Sequence, residues 1–153
     1  ALTLAAMRVS AQVKLGHIET QKLIQAMPEW TAAQKTFEEE QKKVNTELNS
    51  LREQFQTKLA EYSEKMKTYS EAMRATTEEE LQGLQQRIQR FQETAMAQLE
   101  KTQNDLMQPV MEKALNAIKE VGKENGFTYI FDMNAGENSQ DVLPLVKKKL
   151  GLQ

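Results

Sequence analysis

The stretch "GFTYIFDMN", Gly126 to Asn134, puts Phe127, Tyr129, Phe131 and Met133 on every second position. That is the two-residue period of a β-strand. The strand sits near the end of a chain that otherwise reads as long, polar, charged helix. A strand so placed needs a partner from much earlier in the chain. The other strand candidate is "VKLGHI", Val13 to Ile18. A helical hairpin between the two would return its far end to its start and bring them together. The fold therefore turns on whether the intervening residues form such a hairpin.

Composition narrows the possibilities. The 153 residues are 39% hydrophobic and 27% charged, with three Pro and six Gly. This is lean for a globular core and well suited to long uninterrupted helices. Cysteine is absent, which excludes disulfides, thiolate metal sites and cysteine nucleophiles. A net charge of −2 offers no clustered basic face for nucleic acid. The single histidine, His17, argues against a histidine metal cluster or a triad, and it reads as a structural strand residue. The acidic residues lie along helix surfaces rather than converging in Gly-rich turns. No catalytic residue, metal or cofactor is expected, and the chain does not read as an enzyme. After the first residues no apolar run approaches the roughly 18 residues of a membrane span.

The opening "ALTLAAMRVSAQ" is small and apolar, and Val9-Ser10-Ala11 fits a small-x-small cleavage pattern. Residues 1–11 are therefore read as a signal-peptide remnant, with a mature chain from Gln12 that works outside the cytoplasm. After the first strand, Thr20 is expected to cap a short helix, Gln21 to Met27, which Pro28 ends. From Trp30 the apolar positions follow a coiled-coil stripe: Ala33, Phe37, Val44, Leu48, Leu51, Phe55, Leu59, Tyr62, Met66, Tyr69 and Met73. The stripe breaks at "RATTEEE", where Thr76 with Glu79 or Thr77 with Glu80 matches a capping box. It resumes at Leu81, Leu84, Ile88, Phe91, Ala95 and Leu99, then runs less cleanly to Ile118. Two antiparallel helices of about 45 residues, each about 65–70 Å long, are expected with a tip near 74–77. Pro109 should kink the second, and Asn125 or Gly126 should end it. "NAGENSQ" reads as a polar turn. Asp141 should cap a last helix, Val142 to Leu150.

The expected fold is mainly α with a small β body: a long antiparallel helical hairpin, a coiled-coil tentacle, on a small β-sheet oligomerisation base. Residues 12–29 and 126–153 form the base, and 30–125 the arm. A two-stranded sheet is marginal alone, and its edges invite association. Val13, Leu15, Ile18, Tyr129, Ile130 and Phe131 are the oligomerisation candidates. Tyr62, Met66, Tyr69, Met73, Phe91 and Met96 are candidate apolar contacts on the arm, because thioethers make adaptable ones. Met96 is favoured because Ala95 and Leu99 already occupy the seam beside it. Pro109 is a hinge candidate.

In its order of elements the chain resembles the Skp/OmpH family of periplasmic chaperones. The resemblance covers "VKLGHIE", "AMPEW", the polar hairpin, "NGFTYIFDMNAG" and the closing "DVLPLVKKKLG". It implies a homotrimer whose three hairpins surround a cavity and hold unfolded outer-membrane proteins without ATP. The implied partners are unfolded outer-membrane or other exported proteins and further copies of the chain, and the implied location is the periplasm. The family's strand ending in Asp is followed by a further strand, which the polar "NAGENSQ" leaves missing or truncated here. Acidic residues outnumber basic ones around the expected tip, so no lipopolysaccharide or membrane site is carried over. Two other readings fit a coiled coil: a structural tethering module, and a prefoldin-like cytosolic chaperone.

Overall fold

Strand β1, Leu15–Ile18, lies at the centre of a three-stranded sheet of order β2-β1-β3. The computed structural model describes residues 12–134, 136 and 138–153; the signal-peptide reading of residues 1–11 falls outside them. β2, Tyr129–Asp132, pairs parallel to β1 with Leu15 opposite Tyr129 and Ile18 opposite Asp132. β3, Gln140–Asp141, pairs parallel on the other side, with Gly16 opposite Gln140 and His17 opposite Asp141. The expected β1–β2 partnership is present. "NAGENSQ" is more than a turn, because Gln140 ends it as the first residue of β3. This third strand is truncated to two residues, too short for any periodic signal.

The sheet belongs to a compact unit formed by Ala1–Trp30 and Pro109–Gln153. Two short helices complete it: α1, Thr20–Ala26, and α4, Leu143–Lys149. The same unit holds the last stretch of α3, the long helix Glu71–Glu124. Residues 109–124 were expected within the arm; they group with the sheet because Val110, Ala114, Ala117 and Val121 are buried there. Ile18, Leu23, Met27, Val142 and Val146 complete this core, each 1% exposed or less.

Asp132 explains why β2 ends in an acid. Its carboxylate accepts the Thr20 backbone N–H at 3.0 Å. Free N–H groups at a helix start need an acceptor, and this one arrives from a strand 112 residues away. The expected Thr20 cap is therefore corrected: Thr20 is the first helical residue, and the preceding Glu19 makes no side-chain cap. Pro28 then opens the next helix, α2, Pro28–Lys65, where a proline at the first position loses no helical bond.

The end of α3 is a Schellman turn. Gly126 has φ +68°, Phe127 N–H donates to the Gly122 carbonyl at 2.9 Å, and Gly126 N–H donates to that of Lys123 at 3.4 Å. Lys14 locks the joint from β1's approach. Its ammonium lies 4.2 Å from the Phe127 ring centroid and donates to the Asn125 carbonyl at 2.9 Å. At α4 the expected Asp141 cap is corrected: the helix is Leu143–Lys149, its N-cap is Val142 with no side-chain cap bond, and Asp141, one residue earlier, accepts the Leu143 N–H at 2.9 Å.

The second unit, Thr31–Gln108, is a helical hairpin built from α2 and α3. Lys58 pairs with Glu80 and Tyr62 donates to Glu78, so the partners step in opposite directions and the helices are antiparallel. The stripe read from the sequence is the seam. Ala33, Leu51, Leu81 and Ala95 are buried in it, while Phe37, Val44, Leu48, Phe55, Leu84, Ile88, Phe91 and Leu99 are half-buried.

The tip lies eight residues before its expected place. α2 ends at Lys65 and α3 begins at Glu71, so residues 66–70 form the turn rather than 74–77. Ser70 is the cap: its Oγ accepts the Met73 N–H at 3.2 Å. Thr76 and Thr77 sit inside the helix and donate back to the Ala72 and Met73 carbonyls at 3.0 and 2.8 Å. Ser70→Ala should therefore lower hairpin stability by about 1 kcal/mol. Thr77→Ala should be near neutral or slightly favourable, since it replaces a residue of lower helix propensity. Urea melts of the two variants check this; an equal or larger loss at Thr77 would return the tip to 74–77.

Candidate functional site

Two surfaces present apolar side chains that the chain itself does not cover. The first is on the hairpin unit. Met66 in the 66–70 turn and Met73 in the first turn of α3 are exposed, as is Met96 further along α3. Moving the tip is what frees the first two. The stripe continued through them, but the seam stops at Tyr62, whose ring packs on Tyr69 with centroids 6.3 Å apart and planes tilted by 49°. The Tyr62 hydroxyl donates to the Glu78 carboxylate, which raises its pKa above the usual tyrosine value. Tyr62, Tyr69 and Phe91 are half-buried. Of the six candidate contacts, the three methionines are thus free, and the three aromatic residues mostly serve the hairpin.

The hairpin unit also carries an open groove of about 800 Å³ that the sequence reading did not single out. Ser50, Glu53, Thr57 and Lys58 of α2 line it opposite Glu80, Gly83 and Arg87 of α3. Gly83 faces open space: a Cβ there would meet nothing within 4 Å. The lining is mostly polar, unlike the apolar pockets that hold small molecules.

The second surface is the open face of the sheet. Alternation along β1 turns Gly16 and Ile18 inward, and Leu15 and His17 outward. In parallel register, Tyr129 and Phe131 join Leu15 and His17 on that outer face. Their rings lie 6.1 Å apart, both exposed, and Val13 just before β1 is exposed too. Parallel sheets are normally covered on both faces, so this one is short of a cover. His17 Nδ1 lies 2.7 Å from Ser139 Oγ, and that hydroxyl donates to the Gly136 carbonyl at 3.0 Å. This contact ties His17 to the segment before β3. Among the oligomerisation candidates, Val13, Tyr129 and Phe131 are exposed and Leu15 is half-buried. Ile18 is buried within its own unit, and Ile130 turns inward over Gly16 and Gly122.

The electrostatics are those of a scaffold. Lys113 donates to Glu29 and holds its carboxyl below the usual range. Lys149 reaches Glu124 at 2.5 Å and Glu120 at 3.1 Å, which holds α4 to the end of α3 and raises the lysine pKa. Among the described residues no three His, Cys, Asp or Glu side chains are grouped to hold a metal ion. No helix among them is long and apolar enough to cross a membrane.

The chain thus has a polar helical hairpin that carries exposed thioethers and a small sheet whose outer face carries exposed Tyr129 and Phe131. The model of the OmpH-like outer membrane protein family matches residues 14–150, nearly the whole chain, and the chain belongs to that family. Family membership points to a periplasmic chaperone of outer-membrane proteins rather than to an enzyme. None of the curated proteins is similar enough to match.

Proposed function

We propose that this chain is an ATP-independent holdase that keeps unfolded outer-membrane proteins from aggregating, in a cavity between coiled-coil arms of a homotrimer in the periplasm. The observation that carries the reading is the exposure of Met66, Met73 and Met96 on an otherwise polar hairpin. Flexible, polarisable thioethers give weak contacts to many sequences. Spread along a charged hairpin, they cannot collapse onto one another. The face of Leu15, Tyr129 and Phe131 supplies the assembly surface, because among the described residues Tyr129 and Phe131 stand exposed on it. Light scattering of the chain from Gln12 should give the mass of three copies; a monomer would remove the cavity.

The decisive assay mixes the protein with several unrelated unfolded β-barrel proteins at stoichiometric amounts and no nucleotide. Aggregation should be suppressed for all of them. Replacing Met66, Met73 and Met96 together by Gln should weaken suppression roughly tenfold and leave helical content unchanged. Selective binding of one defined partner would instead indicate a tethering module.

Pro109 is proposed as the hinge of each arm. It lies inside α3 and also at the boundary between the two compact units. A proline there removes the bond to the Asp105 carbonyl and crowds the preceding turn. Pro109→Ala should stabilise the helix by up to about 3 kcal/mol and narrow the spread of arm angles in solution scattering. An unchanged spread would sink the hinge.

A further inference from the structure

We propose that the exposed thioethers are a modification site: two-electron oxidants of the peroxide class convert them to sulfoxides, and this conversion turns down client holding. The proposal deepens the holdase reading and rests on it. The chain has no cysteine, so its thioethers are its only sulfur nucleophiles. Eight methionines are present, and seven of them, all but Met7, lie among the described residues. Five of those seven are exposed, from 40% at Met66 to 73% at Met96, while Met27 is 1% exposed and Met107 half-buried. The fold therefore sorts its own thioethers into reachable and shielded sets.

The chemistry balances without help from the protein. A sulfur lone pair attacks one peroxide oxygen, the S–O bond forms and the O–O bond breaks. The sulfur loses two electrons, and the peroxide is reduced to water. Oxidation turns a flexible apolar side chain into a polar one, which removes the property that suits these residues to apolar clients. The hairpin itself should survive, because Met66, Met73 and Met96 stand outside the buried seam of Leu51, Leu81 and Ala95. The reverse step needs a dithiol reductant, which becomes a disulfide as the sulfoxide oxygen leaves as water. Enzymes of the methionine sulfoxide reductase class supply it.

The test doses the intact protein with hydrogen peroxide and maps oxygen addition by peptide mass. Met96, Met73 and Met66 should be oxidised about tenfold faster than Met27, following exposure. Helical circular dichroism should persist, and the amount of protein needed to suppress aggregation should rise roughly threefold. Methionine sulfoxide reductase should restore it. A Met111→Leu, Met133→Leu variant, which removes the two exposed thioethers outside the hairpin unit and keeps the three within it, should lose holding on peroxide treatment as the unchanged chain does. Oxidation of Met27 in step with Met96 overturns the site. Equal holding before and after full oxidation of the three, or a loss that disappears in the Met111→Leu, Met133→Leu variant, overturns the regulation. An untreated chain that holds no client overturns the holdase reading and the regulation with it, and the peptide map then judges the site alone.

Discussion

Gly16→Val should unfold the sheet unit or cost it about 3 kcal/mol or more, the upper end for forcing atoms into a filled core. Gly16 is the second residue of the central strand. A Cβ there would stand 2.9 Å from Val142 Cγ1, 3.1 Å from Phe127 Cδ1 and 3.2 Å from Ile130 Cγ1. None of the three can retreat easily. Val142 is fully buried between β3 and α4, Phe127 is pinned beneath Lys14, and Ile130 rests on Gly122. Gly122→Ala is the control. Its Cβ would meet only the Ile130 Cδ1 tip, at 3.2 Å, and alanine gains about 1 kcal/mol of helix propensity over glycine. The two should nearly cancel. Trp30, the single tryptophan, lies in the sheet unit, so urea melts followed by its fluorescence read that unit directly. Equal midpoints for the two variants would show that β1 does not sit as tightly as these distances require.

The pairing of β1 with β2 was legible because it follows from connectivity: a hairpin must return to where it began. The seam was legible because its three- and four-residue spacing persists for many turns. The tip was not, and the reason is local. A Thr-x-x-Glu box reads the same whether its threonine caps a helix or bonds back to the carbonyl four residues earlier, as Thr76 and Thr77 do. The true cap, Ser70, has Met73 where a box would want an acid, so it carries no such signature. β3 escaped for a different reason. Gln140 and Asp141 are exposed, and what makes them a strand is backbone bonding to β1, including the neighbouring Val142 N–H to the His17 carbonyl at 2.9 Å. Side-chain patterns do not record that.

The same displacement reshapes the candidate site. With a tip at 74–77, Met66 and Met73 would be seam residues. With the turn at 66–70, Met66 lies in it and Met73 just after it, both in the open. Met96 needed no correction, because Ala95 and Leu99 on either side fix which way that part of the helix faces. The groove beside Gly83 was illegible: a glycine on an exposed helix face reads as a small loss of helix propensity, and only the facing side chains of α2 show the space.

Leu51→Ala should cost the hairpin about 2–4 kcal/mol, the usual range for emptying a buried leucine site. Leu51 is 1% exposed, and the only other large side chain buried in that unit among the described residues is Leu81. A seam so narrow has few neighbours able to collapse into a cavity, so little of the loss should be recovered. Leu59, two turns further along the same helix, is exposed, and Leu59→Ala should cost less than about 1 kcal/mol. The damage should also stay local, because each turn of a hairpin touches only the turn facing it. Native-state hydrogen exchange should show protection falling around Leu51 while the β1 amides keep theirs. Equal losses at Leu51 and Leu59 would show that the buried seam does not hold the hairpin together. The variant also separates two ways in which a holdase can work. Leu51→Ala loosens the hairpin but leaves Met66, Met73 and Met96 in place. If client holding survives, the exposed side chains carry it. If holding falls with the seam intact elsewhere, the rigidity of the arm is part of the binding surface.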